Sequence, residues 1–332
     1  MNIQPHKSTV LVTGGTGFIG AYVIRDLINA GYSVKALKRK PGYPSFIDSA
    51  IFSRVEWIDC DLFDVVGLDE AMKNTDAVIH SAAKVSFWKK EKEELLKTNI
   101  EGTANMVNAA IANNIQRFIH VSSVAAIGRK KDGSIINEES KWVESKLNSN
   151  YAISKHYAET EVWRGIAEGL NAVIVNPSTV IGYGDWNSSS CAIFKSVYNE
   201  FPWYTNGMNG FVDVEDVSRA IVALLTSAVQ AERFILSGEN WSYRKLFDTI
   251  ADGLGKKKPH REATPFLADI AWRMEKLKSI FTGTRPLLTK ETAKVGQSST
   301  RLDNNKILKA LPGFTFTPLE ETIRKACKQY IV

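Results

Sequence analysis

A tyrosine and a lysine four residues apart form the spacing in this sequence that most directly suggests chemistry. Tyr151 and Lys155 lie in a stretch with helical periodicity, so both side chains project from one face of the helix. A tyrosine with its ordinary pKa of ~10 is a poor base at neutral pH, but a neighbouring ammonium favours the phenolate. The pair could therefore exchange a proton with a carbonyl or alcohol oxygen.

Two serines end an apolar stretch upstream of this pair. The predicted buried strand Arg117–Ser122 is followed by Ser123, which lies 28 residues before Tyr151. Ligands of open α/β sheets bind at the carboxyl ends of the strands, which is the edge where these residues are expected. The serines lack a Gly-x-Ser-x-Gly turn, so a hydrolase is disfavoured.

A glycine-rich turn follows the first predicted strand, Thr9–Thr13. Gly14 can adopt tight-turn dihedral angles, Gly17 allows close approach of a pyrophosphate, and Gly20 allows close packing of the next helix. The N-terminus of that helix offers N–H groups and a partial positive charge to phosphates. The turn therefore predicts a dinucleotide site.

The segment Thr13-Gly14-Gly15-Thr16-Gly17-Phe18-Ile19-Gly20 resembles the cofactor turn of the extended short-chain dehydrogenase/reductases. This group includes nucleotide-sugar epimerases, sugar dehydratases and dihydroflavonol reductases. The strand serines and the Tyr-x-x-x-Lys pair follow in the order of the family. The resemblance implies that Ser123 orients the substrate oxygen, that Tyr151 transfers the proton, and that Lys155 tunes Tyr151 and binds the nicotinamide ribose.

The resemblance also implies which residues contact the cofactor. Asp61 and Leu62 correspond to an adenine-contacting pair, and Asn99 corresponds to an asparagine that braces the central strands. The remaining predicted contacts, besides Tyr151 and Lys155, are Thr13, Gly14, Thr16, Gly17, Phe18, Ile19, Gly20, Ser81, Ala82, Ala83, Val121, Asn176, Pro177, Thr179 and Val180.

The end of the second predicted strand, Ser33–Leu37, indicates which nicotinamide cofactor is preferred. NAD enzymes usually carry an acidic residue here for the ribose hydroxyls, but this strand continues into Lys38-Arg39-Lys40. A guanidinium beside an ammonium suits a ribose 2′-phosphate. NADP is therefore predicted over NAD, with Arg39 as the main contact and Lys38 as the second.

The elements that must position these residues alternate between strands and helices. Apolar runs predict strands buried on both faces, and the alternation predicts a doubly wound, Rossmann-type parallel sheet. The predicted strands are Thr9–Thr13, Ser33–Leu37, Val55–Cys60, Ala77–His80, Arg117–Ser122, Ala172–Asn176 and Arg233–Ser237. The predicted helices are Phe18–Ala30, Val65–Lys73, Leu95–Asn113, Ala152–Glu168 and Val214–Thr226.

A second, mostly helical lobe is predicted to bind the substrate. The dinucleotide-binding domain would comprise residues 1–182 and 211–239, and the substrate lobe residues 183–210 and 240–332. The apolar stretch Phe266–Phe281 could lie on a membrane surface, although a helix covering the substrate lobe is the favoured interpretation.

Composition narrows the classes of function. The chain has 332 residues, 44% of them hydrophobic, with a formal net charge of +6. Its cations are dispersed, so nucleic acid is not an expected partner. Cys60, Cys191 and Cys327 lack metal-ligand spacing, so neither a metal site nor a disulfide is expected. We also expect a cytoplasmic location, no stable membrane insertion, and a monomer or homodimer.

The branch of the family follows from residues beside the predicted site. Val124 and Ala125 occupy the positions of the acidic pair of sugar dehydratases, and Asn176-Pro177 resembles the dihydroflavonol reductases. We therefore predict a carbonyl reductase or alcohol dehydrogenase for a small, aromatic or apolar substrate. A nucleotide-sugar epimerase with the same three catalytic residues is the alternative, and a non-catalytic dinucleotide sensor is a third.

The candidate residues of the substrate pocket are Phe87, Trp88, Trp186, Phe201, Trp203 and Tyr204. Arg285 and Arg301 could hold a diphosphate.

Overall fold

The computed structural model describes residues 3–39, 41–128, 134–145, 148–284, 286 and 288–331. Lys40 and Arg285, both named above, lie outside these residues. In chain order, the strands are β1 (Thr9–Thr13), β2 (Ser33–Lys38), β3 (Glu56–Asp59), β4 (Ala77–His80), β5 (Arg117–Val121), β6 (Ala172–Pro177), β7 (Thr179–Ile181), β8 (Trp203–Tyr204), β9 (Met208–Asp213), β10 (Glu232–Leu236), β11 (Glu239–Ser242) and β12 (Arg261–Glu262).

The main sheet has seven parallel strands in the order β10-β6-β5-β4-β1-β2-β3. This is the doubly wound Rossmann arrangement, so the prediction of the fold class is confirmed. Each predicted strand is present, and the bounds differ by no more than one residue. Consecutive residues of β1 pack against different layers, since Val10 and Val12 face one layer and Leu11 faces the other. This explains the continuous apolar run in the centre of such strands.

The described part of the chain contains thirteen α-helices, some of which cover the two faces of this sheet. They are α1 (Phe18–Asn29), α2 (Ser49–Phe52), α3 (Val65–Met72), α4 (Lys92–Leu96), α5 (Gly102–Ala112), α6 (Asn150–Ala167), α7 (Ala192–Tyr198), α8 (Val214–Thr226), α9 (Tyr243–Leu254), α10 (Pro265–Thr282), α11 (Lys290–Gln297), α12 (Asn305–Ala310) and α13 (Leu319–Ile331). Residues of α1 and α8 share one core cluster with the sheet, and residues of α3, α5 and α6 share the other.

The predicted helix Leu95–Asn113 is interrupted. It is replaced by α4, a turn of π-helix over Lys97–Glu101, and α5. A π-turn inserts one extra residue into a helix and often lies at a functional site. This turn contains Asn99, one of the predicted site residues.

A second sheet, β11-β9-β7, was not predicted. Strand β9 pairs in parallel with β7 and antiparallel with β11. Residues 183–210 contain α7, β8 and the first residues of β9. The region after residue 240 is mainly helical, as predicted. The proposed domain limits stay a prediction.

Neither a membrane-spanning helix nor a metal cluster is found in the described part of the chain. None of its helices has the length and apolar character needed to cross a bilayer. None of its groups of His, Cys, Asp and Glu side chains could hold a metal ion. The three cysteines are free and buried.

Candidate active site

The structure brings Ser123, Tyr151 and Lys155 together at the carboxyl end of β5. Ser123 follows this strand and caps a short 3-10 turn, where its hydroxyl accepts a hydrogen bond from the Ala125 N–H at 3.2 Å. The Ser123 hydroxyl also hydrogen-bonds the phenol of Tyr151. Tyr151 lies in the first turn of α6, and Lys155 one turn further on donates from Nζ to the Val121 carbonyl at 2.9 Å.

Burial sets the proton affinities of this group. It raises the pKa of Tyr151, and the hydrogen bond from Ser123 opposes that rise. It lowers the pKa of Lys155 to about 8, and the carboxylate of Glu159 opposes that fall. A phenol that holds its proton beside a serine hydroxyl is suited to protonating a substrate oxygen.

Glu159 is a buried acid behind Lys155 that the sequence reasoning missed. The side chains of Glu159 and Lys155 are both only 2% exposed. The Asn176 amide donates from Nδ2 to the Glu159 carboxylate and, at 2.9 Å, to the Ser123 carbonyl. Arg233 on β10 lies 3.6 Å from the same carboxylate. The sequence did contain a signal that could have identified Glu159. It lies four residues after Lys155, and this spacing places both side chains on the same helix face.

The glycine turn has the geometry of a phosphate cradle. Gly14 has a φ of +70°, and a Cβ there would lie 2.7 Å from the Ala82 nitrogen. A Cβ on Gly20 would lie 2.2 Å from the Gly14 carbonyl oxygen. Among the described residues, no side chain caps α1, whose N-cap is Gly17, so its first N–H groups are available to an anion. Thr16 is exposed in the turn, and Phe18 and Ile19 begin the helix.

Thr13 joins the glycine turn to the small-residue segment after β4. Its hydroxyl hydrogen-bonds His80 Nδ1 at 2.7 Å and accepts from the Ala82 N–H at 3.1 Å. The Ser81 N–H donates to the Thr13 carbonyl at 3.2 Å. Ser81 and Ala82 therefore pass directly beside Gly14, and Ala83 follows them. Their contacts with a cofactor stay predictions.

Arg39 and Asp61 face each other at the ends of two neighbouring strands. Arg39 Nη1 lies 3.8 Å from an Asp61 carboxylate oxygen, and both side chains are exposed. Lys38, in contrast, lies against aromatic rings: its ammonium is 5.5 Å from the centre of the Tyr43 ring and 5.9 Å from that of Trp57. Leu62 is buried against Gly102. Of Lys38 and Arg39, Arg39 is therefore better placed for a ligand at this edge.

Asn99 connects the π-turn to the catalytic helix. Its amide oxygen accepts from the Lys84 N–H at 2.7 Å, and its Nδ2 donates to the Lys84 carbonyl and to Ser154 Oγ, each at 2.9 Å. Ser154 adjoins Lys155 on α6. These contacts fit the bracing role that the resemblance implied for Asn99.

The segment Asn176–Val180 contributes buried groups. The Asn176 side chain is fully buried, and its amide is used by Glu159 and Ser123, so its contacts are those of a brace. Pro177 ends β6, and Val180 is buried in β7. Thr179 accepts a hydrogen bond from Asn209 Nδ2 at 2.9 Å. Cofactor contacts by this segment and by Val121 stay predictions.

The six aromatic residues predicted to line the pocket do not all lie near Tyr151. The Phe87 ring packs edge-on against Tyr151 with 5.7 Å between ring centres. Trp186 instead stacks on Tyr330 at 5.4 Å, and Tyr204 is buried. Trp88, Phe201 and Trp203 have no described ring contact with Tyr151. Phe87 is therefore the predicted pocket residue that the structure places at Tyr151.

Comparison with known proteins agrees with this geometry. A model described as the NAD dependent epimerase/dehydratase family matches residues 10–236. A putative dihydroflavonol 4-reductase from Synechocystis sp. is 32% identical over 307 residues, which cover 90% of this chain and 88% of that protein. Cinnamoyl-CoA reductase 1 from Petunia hybrida is 29% identical, with 68% of this chain and 71% of that protein covered.

The fold is shared along the whole chain with solved structures. The crystal structure of gox2253 superposes with a TM-score of 0.81 at 29% identity and covers 98% of both chains. Together with the family match, this confirms the resemblance to the extended short-chain dehydrogenase/reductases. The chain is therefore an enzyme that belongs to the NAD-dependent epimerase/dehydratase family.

Proposed function

We propose that this enzyme is an NADP-dependent carbonyl reductase, which would act as an alcohol dehydrogenase in the reverse direction. The observation that carries the proposal is that Ser123, Tyr151 and Lys155 lie together at the carboxyl end of β5, on the same sheet edge as the glycine turn that follows β1. The similarity to a putative dihydroflavonol 4-reductase supports a reductase over an epimerase.

The protein residues would handle the proton and the substrate oxygen. The Ser123 hydroxyl donates a hydrogen bond to the carbonyl oxygen and so withdraws charge from it. The phenol O–H bond of Tyr151 breaks as that oxygen takes the proton, and the Lys155 ammonium stabilises the phenolate left behind. A nicotinamide cofactor, when bound, supplies or accepts the hydride.

The cofactor would lie across the glycine turn. Gly14 and the uncapped start of α1 would hold the pyrophosphate, because the turn has no room for a Cβ and offers free N–H groups. Arg39 would bind a ribose 2′-phosphate, for which a planar guanidinium is the suitable partner. The carboxylate of Asp61 lies beside it, in reach of the adenine end.

The substrate would be a small aromatic or apolar carbonyl compound. The Phe87 ring against Tyr151 supports this class, since an aromatic wall beside the proton donor favours a flat or apolar neighbour.

The test is a panel of aryl and alkyl ketones and UDP-sugars, with NADPH consumption and product formation both followed. We expect ketone reduction with one NADPH consumed for each alcohol formed. Tyr151→Phe should lower kcat by about 10²–10⁴-fold. Tyr157→Phe is the matched control, because this tyrosine lies on the same helix, is 40% exposed and hydrogen-bonds Glu144. Isomerisation of a UDP-sugar without net NADPH consumption would contradict the proposal.

A further inference from the structure

Helix α10 carries an apolar face that the described part of the protein does not cover. Of its 18 residues, only Ala268 and Ser279 are buried. Five large side chains form what we call the α10 stripe: Phe266 (73% exposed), Ile270 (38%), Met274 (65%), Leu277 (55%) and Phe281 (85%). Soluble proteins rarely expose a continuous apolar surface of this kind unless it contacts a partner.

The stripe is continuous because of its spacing. Successive members are four, four, three and four residues apart, so at 3.6 residues per turn they occupy an arc of roughly 80°. On the same helical projection, Arg273 lies at one edge of this arc and Lys278 at the other. Ala268 and Ser279 lie on the opposite side, where the helix rests on the protein. Long cationic side chains at the edges of an apolar face can extend into a polar layer.

Cations are dispersed along the chain, but the excess of positive over negative charge lies in the stretch of sequence that contains this helix. Residues 256–290 contain nine of the 42 lysines and arginines and only three of the 36 aspartates and glutamates. The rest of the chain therefore holds 33 of each and has no net charge. The full formal charge of +6 belongs to the 35 residues that carry the exposed apolar stripe.

We propose that α10 docks this enzyme on the surface of an anionic lipid bilayer. The helix would lie in the plane of the interface, with the stripe among the acyl chains and with Arg273, Lys276 and Lys278 at the headgroups. A second copy of the chain fits less well, because symmetric pairing through this face would bring two segments of charge +6 together.

The first test is flotation of the full-length protein with vesicles of phosphatidylcholine alone or with phosphatidylglycerol added. We expect binding to the anionic vesicles only, and weaker binding at high salt. Met274→Gln with Leu277→Gln should reduce the bound fraction at least about tenfold. The matched control is Val65→Gln with Val66→Gln on α3, where the side chains are 58% and 80% exposed, and it should bind as the wild type does.

The second test separates the charges from the apolar surface. Lys276→Glu with Lys278→Glu should reduce anionic-vesicle binding by a similar factor. Lys309→Glu with Lys328→Glu changes the net charge equally at exposed positions on α12 and α13, and we expect it to retain most of the binding. The four sites are exposed, and circular dichroism should show that each variant is folded.

Three results would overturn the proposal. The first is no flotation with anionic vesicles, and the second is equal binding by the wild type and the stripe variant. The third is a concentration-dependent dimer in analytical ultracentrifugation that the Met274→Gln, Leu277→Gln variant abolishes, which would assign the stripe to a second copy of the chain. All three can be read without measuring enzyme activity, so they are independent of the proposed reaction.

Discussion

The Glu159 carboxylate lies one helical turn after the Lys155 ammonium on α6, and both side chains are buried in the interior. The acid raises the proton affinity of the lysine, whose pKa burial has lowered to about 8. The Asn176 amide holds the carboxylate in place and also contacts the Ser123 carbonyl. Glu159 is thus a positioning residue that connects the lysine to the serine.

Glu159→Gln should change the pH dependence of carbonyl reduction. In the wild type, kcat/KM should fall as the pH rises through about 8, because Lys155 loses its proton there. The amide removes the negative charge that favours the Lys155 ammonium. The pH at which kcat/KM has fallen to half should therefore be lower by roughly 0.5–1 pH unit; this pH is the midpoint of the profile. The measurement is a pH–rate profile with a ketone substrate.

Glu161→Gln is the control for this shift. Glu161 lies on the same helix but is partly exposed and pairs with Arg164 at 2.9 Å. Its replacement should leave the midpoint where it is in the wild type. Equal midpoints for Glu159→Gln and the wild type would show that the buried carboxylate does not tune Lys155.

Arg39→Ala should weaken the binding of NADP and leave the binding of NAD unchanged. A guanidinium on a phosphate makes charge-assisted hydrogen bonds worth about 1.5–3 kcal/mol, so the Kd for NADP should rise about 10–100-fold. Losing the exposed ion pair with Asp61 should cost little stability. Arg54→Ala, at another exposed arginine, should leave both Kd values unchanged in a fluorescence titration. An unaltered Kd for NADP in Arg39→Ala would remove the basis for the NADP preference.

Gly14→Ala should impair both stability and dinucleotide binding. The φ of +70° strains an L-residue by about 1–2 kcal/mol, and the new Cβ would also meet the Ala82 backbone. Gly313→Ala carries the same kind of strain, with a φ of +85°, but has nothing within 4 Å of the added Cβ.

Thermal unfolding and dinucleotide titration distinguish these two effects. Gly313→Ala should lose about 1 kcal/mol of stability and keep its dinucleotide affinity. Gly14→Ala should lose more stability and bind at least about tenfold more weakly, since a shifted turn misplaces the phosphate-binding N–H groups. Undiminished binding by Gly14→Ala would argue against the turn as the phosphate cradle.

Asp213→Asn should make protein stability less dependent on pH. Burial raises the pKa of this N-cap carboxyl from 3.8 to about 6. The folded state therefore holds a proton that the unfolded chain releases, and wild-type stability should fall as the pH rises from about 4 to about 6. The amide Oδ1 can still accept from the Glu215 N–H, and the amide Nδ2 can donate to the Thr322 hydroxyl, which in the wild type donates to the carboxylate. Both contacts are then made without the charge.

Relative to the wild type, Asp213→Asn should gain on the order of 2 kcal/mol in the free energy of unfolding at pH 7 and should gain nothing near pH 4. Denaturant unfolding at both values measures it. Asp48→Asn is the control, because Asp48 is an exposed N-cap that makes the same contact two residues ahead. A stability difference between Asp213→Asn and the wild type that is equal at both pH values would show that the carboxyl does not titrate as described.

Local periodicity determined much of this protein from the sequence alone. Strands such as Thr9–Thr13 and Ala77–His80 are found with their predicted bounds, because a strand buried on both faces carries a continuous apolar run such as Val10-Leu11-Val12. The face shared by Tyr151 and Lys155 follows from helix geometry, and the glycine turn follows from the steric demands of a strand–helix junction.

Only the tertiary structure decided the contacts between distant parts of the chain. Asn176 on β6 and Arg233 on β10 contact Glu159, which lies on α6. Arg39 follows β2 and contacts Asp61, which follows β3. The strands of the sheet β11-β9-β7 lack the continuous apolar run that marks β4, as in Glu239–Ser242, so the sequence did not reveal them. The apolar face of α10 was visible in the sequence, but its exposure was not, because periodicity defines a face and packing decides what covers it.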